Sequence, residues 1–186
     1  MCIVINLFGG PGTGKSTLAA RVFSELKVRL LSCELITEYA KDKVWEQSLH
    51  VLNDQIYVFG KQQHRQFVVK DKVDIIITDA PILLSLYYSS LTSKLFKDFV
   101  IYTYNSYENV NYLLRRNKEL PYDQTGRNQT LKNSQLADVG IEKILKDNNL
   151  PFSELYIKTD ISINTDVIVK HICNRLKMVR RIYEAI

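Results

Sequence analysis

Cys2-Ile3-Val4-Ile5-Asn6-Leu7-Phe8-Gly9-Gly10-Pro11-Gly12-Thr13-Gly14-Lys15-Ser16-Thr17 is the stretch that decides the fold. Its first half is short and rich in Ile and Val, and it runs into a glycine cluster, which predicts a buried strand over residues 2–7. From Gly9 to Thr17 the chain fits G-x-x-x-x-G-K-[ST]. Glycines in such a loop let successive backbone N–H groups converge on phosphate oxygens. The helix that begins there adds its positive end. The pattern gives Lys15 to the β- and γ-phosphates and the Ser16 hydroxyl to Mg²⁺. Gly9, Gly10, Pro11, Gly12, Thr13, Gly14, Lys15, Ser16 and Thr17 are therefore the expected nucleotide-binding residues. Leu18, Val22 and Leu26 then recur at helical spacing, which predicts an amphipathic helix over 16–27.

Working outward, strand and helix patterns alternate. Residues 33–36 read as a second strand, and 53–69 as a helix with Ile56, Phe59, Gln63 and Phe67 near helical spacing. Residues 73–78 are a nearly continuous β-branched run, the mark of a central parallel strand covered on both faces. It ends at Asp79, and Pro81 prevents its continuation. Beyond it come a helix over 93–107 (Leu95, Phe99 and Tyr102 on one side) and a strand over 109–114. A polar loop with Pro121 and Gly126 follows over 115–130. The remaining expectations are an amphipathic helix over 134–147 bearing Leu136, Val139, Ile141, Ile144 and Leu145, a short strand over 155–158, and a closing helix over 166–184. Alternation of this kind predicts an α/β domain with a parallel sheet.

Composition agrees. The chain has 186 residues, enough for one domain with a real core, so 1–186 is read as a single domain. Its 46% hydrophobic and 24% charged residues exclude disorder, collagen-like repeats and a disulfide scaffold. The net charge of +5 suits anionic ligands such as nucleotides, permits weak nucleic-acid contact, and is equally compatible with a plain solvated surface. Cys2, Cys33 and Cys173 are widely spaced, which argues against disulfides or a zinc site and for a reducing cytoplasm. His50, His64 and His171 lack metal-site spacing. The first residues form no signal peptide, and no apolar run approaches the roughly 20 residues of a membrane span.

With strand, full motif and helix in that order, the sequence resembles the P-loop NTPase superfamily. Within it, GTPase motifs are mimicked by Asp123-Gln124-Thr125-Gly126 and Asn117-Lys118-Glu119-Leu120, but in the wrong order and in one loop. Motor ATPases carry a water-activating Glu after the Asp that ends the third strand. Here Ala80 follows Asp79, which favours transfer to a bound acceptor over hydrolysis. Size and layout resemble the nucleoside and nucleotide kinases, and Glu38-Tyr39-Ala40 resembles the motif after the second strand in the nicotinamide-riboside-kinase-like AAA ATPase group. The resemblance implies an α/β, three-layer P-loop kinase-like fold, with a five-stranded parallel sheet and an arginine-bearing lid loop at about 115–130.

The resemblance also implies roles. Glu38, at the carboxyl edge of a strand, is the expected base for the acceptor hydroxyl; its plain alternative is a surface carboxylate at a strand end. Asp79 is expected to hold Mg²⁺ with Ser16, and the two carboxylates are left interchangeable in role. Arg115, Arg116 and Arg127 are the expected lid arginines that neutralise charge on the transferring phosphoryl group. Phe59 and Gln62 are expected to stack on and hydrogen-bond an acceptor base. Trp45 is left open between a stacking platform and a core anchor. Residues near Thr159 and Asp160 mark where related kinases hold adenine. The Tyr87-Tyr88 pair reads as packing residues with wet hydroxyls.

The leading expectation is a Mg-ATP-dependent kinase acting on a nucleoside, nucleotide or nucleoside-like small molecule, monomeric or homodimeric, with no membrane contact. Two alternatives stand beside it. One is a kinase for a nucleic-acid hydroxyl, allowed by the net charge and by Lys170, Arg175, Lys177, Arg180 and Arg181 in the last helix. The other is a nucleotide-dependent ATPase or switch with a protein partner.

Overall fold

Continuous apolar strands can only be satisfied in the middle of a sheet with helices on both faces. The computed structural model has this form, and it describes residues 2–90, 93–123, 125 and 129–184, with 178–184 as backbone only. Strands β1 (Ile3–Phe8), β2 (Cys33–Ile36), β3 (Ile75–Thr78), β4 (Glu108–Arg115) and β5 (Ser153–Tyr156) are all parallel, in the order β2-β3-β1-β4-β5. Helices α1 (Lys15–Val28), α2 (Tyr39–Trp45), α3 (Gln55–Phe67), α4 (Ser85–Tyr88), α5 (Lys94–Asn105), α6 (Leu131–Asp147) and α7 (Ile161–Glu184), with two short 3-10 helices at Leu49–Asn53 and Ile82–Leu84, complete the described elements. The α/β three-layer arrangement is thus present as expected. Helix α2 was not anticipated, and β5 begins two residues before the expected 155.

Side chains of β1 alternate across the sheet, as the pleat requires. Ile3, Ile5 and Leu7 pack with Leu18, Val22 and Leu26 of α1 and with Ile168 and Ile172 of α7. Phe8 joins Phe59, Phe96, Val100, Ile141 and Leu145 from α3, α5 and α6 on the opposite face. Truncating a core residue such as Ile5 to Ala costs about 2–5 kcal/mol by loss of transfer energy and by the cavity left.

One polar group interrupts β1. Asn6 is buried, and its Nδ2 donates to Asn109 Oδ1 at 2.8 Å and to Asn111 Oδ1 at 3.1 Å. Tyr104 donates its hydroxyl to Asn111 Oδ1 at 2.5 Å, and Asn111 Nδ2 donates to the Pro151 carbonyl at 2.9 Å. A connected buried network of this kind fixes register, because a slip of one residue would strand every member. It therefore fixes where the end of β1 delivers Gly9.

Three helices bury a different stripe from the one their apolar residues suggest. In α5 the core takes Phe96, Val100 and Tyr104, while Leu95, Phe99 and Tyr102 are exposed. Both stripes have helical spacing, and the buried one carries the hydroxyl that reaches Asn111. In α6 Ser134, Ala137, Ile141 and Leu145 are buried, and Leu136 and Val139 face solvent. In α3 the inner stripe is Gln55, Phe59, Gln62 and Gln66, with Ile56 and Phe67 outside. Gln55 and Gln62 bond backbone of the adjoining segments there, as Gln55 Nε2 does with the Leu52 carbonyl at 2.6 Å.

Parallel pairing brings the carboxyl ends of the strands to one edge. Ile36 and Asn6 both pair with Thr78, so Glu38, Gly9 and Asp79 emerge together. In an open α/β sheet this is the ligand edge.

Candidate active site

The loop from Gly9 to Lys15 takes a backbone course that needs its glycines. Gly12 has φ +75° and Gly14 has φ +88°, in the left-handed region that side chains disfavour. Space matters as well: a Cβ on Gly12 would lie 2.5 Å from the ring of Tyr122, which follows β4. Gly14 directly precedes α1, whose first turn holds no acidic residue, so its N–H groups remain available to an anion.

Lys15 folds back over the loop. Its Nζ donates to the Gly9 carbonyl at 2.8 Å and to the Gly10 carbonyl at 3.0 Å. Burial pushes its pKa down, opposed by the negative charges of Glu38, Asp79 and Asp138. The ammonium is thus surrounded by carboxylates and placed where it can exchange carbonyl contacts for phosphate oxygens.

Asp79 follows β3 directly. Thr78 Oγ1 accepts the Ala80 N–H at 3.1 Å and so shapes the turn. The Asp79 side chain is 4% exposed, and its Oδ1 is buried with no hydrogen-bond partner among the described residues. A buried carboxylate oxygen left unpaired costs free energy unless something else meets it. A hard cation does so, and the carboxylate with the Ser16 hydroxyl is the oxygen set that Mg²⁺ prefers. Among the described residues no cluster of three or more His, Cys, Asp or Glu offers a different metal site.

A cleft runs from the P-loop to the segment that follows the second strand. Lys15, Ser16 and Thr17 line it from the P-loop, Glu38, Lys41 and Val44 from α2 and its N-cap, and Leu84 and Tyr88 from the segment after Asp79. Glu38 ends in this cleft because α3 holds the backbone on either side of it. Gln62 Oε1 accepts the Tyr39 N–H at 2.8 Å, and Gln62 Nε2 donates to the Thr37 carbonyl at 3.2 Å. Arg65 Nη1 donates to the same carbonyl at 3.0 Å and pairs through Nη2 with Asp42. Tyr88, read from sequence as packing, is a cleft residue; burial raises its pKa, and the Glu38 charge adds to the rise.

The other expected acceptor residues stand elsewhere. Phe59 is core, edge-on to Phe96 and Phe99, and does not line the cleft. Gln62 is occupied by the backbone around Glu38, as above, and is not turned toward an acceptor. Trp45 is 60% exposed at the end of α2 and outside the cleft, so it is neither a core anchor nor a wall of the site.

The arginines separate as well. Arg115 is engaged away from the cleft, with Nη1 on Glu142 at 2.6 Å and Nη2 on Glu154 at 2.7 Å, tying the end of β4 to α6 and β5. Arg116 lies beside the P-loop, bonded to Asp138 and to the Pro11 carbonyl. Arg127 lies outside the described residues. Thr125 and Gln129 of the same loop line the cleft, and Tyr122 donates its hydroxyl to the Gln129 carbonyl at 2.8 Å. On the other side of the P-loop a second cavity of about 500 Å³ is bounded by Gly14, Asn117, Tyr122, Ile157 and Thr159.

With this geometry in place, similarity to known proteins can be stated. A family model described as "AAA domain" matches residues 4–162. The chain belongs to this AAA-domain family. No curated protein matches it in sequence. Thymidylate kinase from Ehrlichia chaffeensis matches in structure with a TM-score of 0.59 at 12% identity, covering 91% of this chain and 97% of that one. A deoxyadenosine kinase from M. mycoides, solved with bound dATP, matches with a TM-score of 0.46 at 18% identity, over 94% of this chain and 99% of that one. This AAA-domain protein is a P-loop NTPase, and its fold is the one seen in that thymidylate kinase.

Sequence reading missed four residues that the AAA-domain fold brings to the site. Lys41 had a weak local signal, since it follows the end of β2 by five residues, whereas Tyr88 lies ten residues beyond β3. Ser134 and Asp138 had none, because their neighbours Gly10 and Pro11 are distant in sequence.

Proposed function

We propose that this protein transfers the γ-phosphoryl group of ATP to a hydroxyl of a nucleoside, nucleotide or nucleoside-like small molecule. The observation that carries the reading is the shared cleft, in which Lys15 and Ser16 face Glu38 and Tyr88. Hydrolysis needs space for one water. This cleft also offers the apolar surface of Val44, Leu52 and Leu84, suited to a flat organic acceptor. Ala80, after Asp79, has no group to activate water.

In this reading the P-loop N–H groups and Lys15 hold the β- and γ-phosphates. The acceptor oxygen attacks phosphorus, the bond to the bridging oxygen of ADP breaks, and Glu38 takes the hydroxyl proton. Ser16 and Asp79 would hold Mg²⁺, which when bound supplies positive charge against the phosphate oxygens. The cavity beside Thr159 suits the nucleotide base. Arg127 is the lid arginine that the reading retains, since Arg115 and Arg116 are engaged elsewhere. The proposed acceptor is a small molecule rather than a nucleic acid. Cys2, Cys33 and Cys173 are free thiols, which supports a reducing compartment such as the cytoplasm. No helix among the described residues is long and apolar enough to cross a membrane.

The test is a screen for transfer of labelled γ-phosphate to nucleosides, nucleotides and short DNA, with Lys15→Ala as the blank. Label on a nucleoside or nucleotide that vanishes in the blank supports the reading. Label only on DNA, or only in inorganic phosphate, contradicts it.

A further inference from the structure

The outer half of the P-loop is held by residues outside the motif. The Gly10 N–H donates to Asp138 Oδ1 at 2.6 Å. Arg116 Nε donates to Asp138 Oδ2, and Arg116 Nη2 donates to the Pro11 carbonyl at 2.7 Å. The Ser134 hydroxyl donates to the same carbonyl. The Arg116 and Asp138 side chains are only 15% and 20% exposed, so these contacts are sheltered from water. The approach is close: a Cβ on Gly10 would fall 2.3 Å from the Ser134 carbonyl. Gly10 is therefore glycine to admit α6, not for its own dihedral freedom.

A carboxylate beside a loop that receives phosphates is at first sight unfavourable, because like charges repel. Two features offset this. Arg116 neutralises Asp138, and Asp138 is occupied by a P-loop N–H that it holds in place. Each polar atom of the segment then has a separate task. Lys15 takes the Gly9 and Gly10 carbonyls, Thr13 Oγ1 donates to the Gly10 carbonyl at 2.9 Å, Asp138 takes the Gly10 N–H, and Arg116 and Ser134 take the Pro11 carbonyl. Arg116 opens the lid loop and Ser134 lies in the helix that closes it, so the lid is rooted on the loop it covers.

We propose that Asp138, Arg116 and Ser134 are positioning residues, a brace that holds the P-loop in its polyphosphate-receiving shape. The proposal deepens the kinase reading but needs from it only a polyphosphate ligand. The probe is inorganic tripolyphosphate, which binds without any acceptor. Its Kd is measured by calorimetry on the full chain and on Asp138→Asn, Asp138→Ala, Arg116→Gln and the Asp138→Asn/Arg116→Gln double variant, with thermal unfolding alongside. Amide exchange at Gly10 is followed by NMR.

Charge-assisted bonds of this kind are worth enough that each single variant should weaken tripolyphosphate binding about tenfold. The double variant should be no more than about twofold worse than the weaker single, since both cut one brace. Asp138→Ala should speed Gly10 exchange while the β1 amides keep their protection. Asp138→Asn, which retains an acceptor oxygen, should restore Gly10 protection. Arg116→Lys should fail to rescue binding, because one ammonium does not span Asp138 and Pro11. Single effects that multiply in the double variant, or Gly10 exchange and Kd unchanged in Asp138→Ala, would overturn the brace. If the variants do not fold, slow Gly10 exchange in the wild-type chain supports it, and exchange as fast as in exposed loops overturns it. Coupled binding effects in a protein that phosphorylates nothing would sink the kinase reading and leave the brace standing.

Discussion

Gln62 closes around Glu38 from both sides: its Oε1 takes the Tyr39 N–H at 2.8 Å and its Nε2 reaches the Thr37 carbonyl at 3.2 Å. A side chain expected to read an acceptor base instead sets the position of the residue proposed to accept the acceptor's proton. Gln62→Ala removes both bonds; the Thr37 carbonyl keeps Arg65, but the buried Tyr39 N–H is left unpaired, at a cost of about 1–3 kcal/mol. Its effect should fall on kcat, with the nucleotide Kd unchanged and all acceptors affected alike. Steady-state kinetics with two acceptors that differ in base decides the point; a change in base preference would return Gln62 to base recognition.

Gly12→Ala should abolish tight nucleotide binding without unfolding the chain. The added Cβ meets a left-handed φ of +75° and the Tyr122 ring at 2.5 Å at once. Nucleotide titration beside a melting curve checks this. Tyr122→Ala in the Gly12→Ala background relieves only the second conflict and should recover binding in part.

Arg115 is structural in this account. It holds Glu142 and Glu154, and Arg115 and Lys146 together push the Glu142 carboxyl down to about 2 from its ordinary 4.5. A carboxylate whose pKa is lowered by folding stabilises the fold above its unfolded value. That stability is therefore present above pH 4.5 and is lost as pH falls toward 2. Solvent screening reduces it to about 1 kcal/mol. Urea midpoints between pH 6 and pH 2.5 should drop less steeply in Glu142→Gln than in the wild-type chain. Arg115→Ala should lower stability while leaving kcat within about twofold, since surface ion-pair changes act on the fold rather than on the transition state.

Arg127→Gln should behave in the opposite way, lowering kcat by about a thousandfold with little rise in ATP KM, as loss of a charge that meets only the transition state does. A raised KM at unchanged kcat would give Arg127 a ground-state binding role.

How much of this was legible in the chain follows from how local each feature is. The P-loop is contiguous, and each of its residues has a short-range reason, so sequence alone located it. The strand ends were legible for the same reason: 73–78 is unbroken β-branched chain, and Asp79 and Pro81 punctuate it. What failed was the choice of face. Helix α5 carries two apolar stripes, and packing against Phe59, Ile141 and Leu145, with the Tyr104 bond to Asn111, selects the one with Tyr104. Glutamines on the inner face of α3 look like solvent-facing residues until the backbone they serve is in place. Asp138 was invisible because its partner Gly10 is 128 positions away.

The central claim is that the phosphoryl group ends on an organic hydroxyl, and the fate of the label measures it most directly. With γ-labelled ATP, magnesium and the best acceptor from the screen, a single turnover by the wild-type chain should place nearly all label on the acceptor. Glu38→Gln should slow that transfer about a hundredfold or more, the scale of general-base catalysis, without diverting label to water. Label appearing as inorganic phosphate at a rate indifferent to both acceptor and Glu38 would contradict the account.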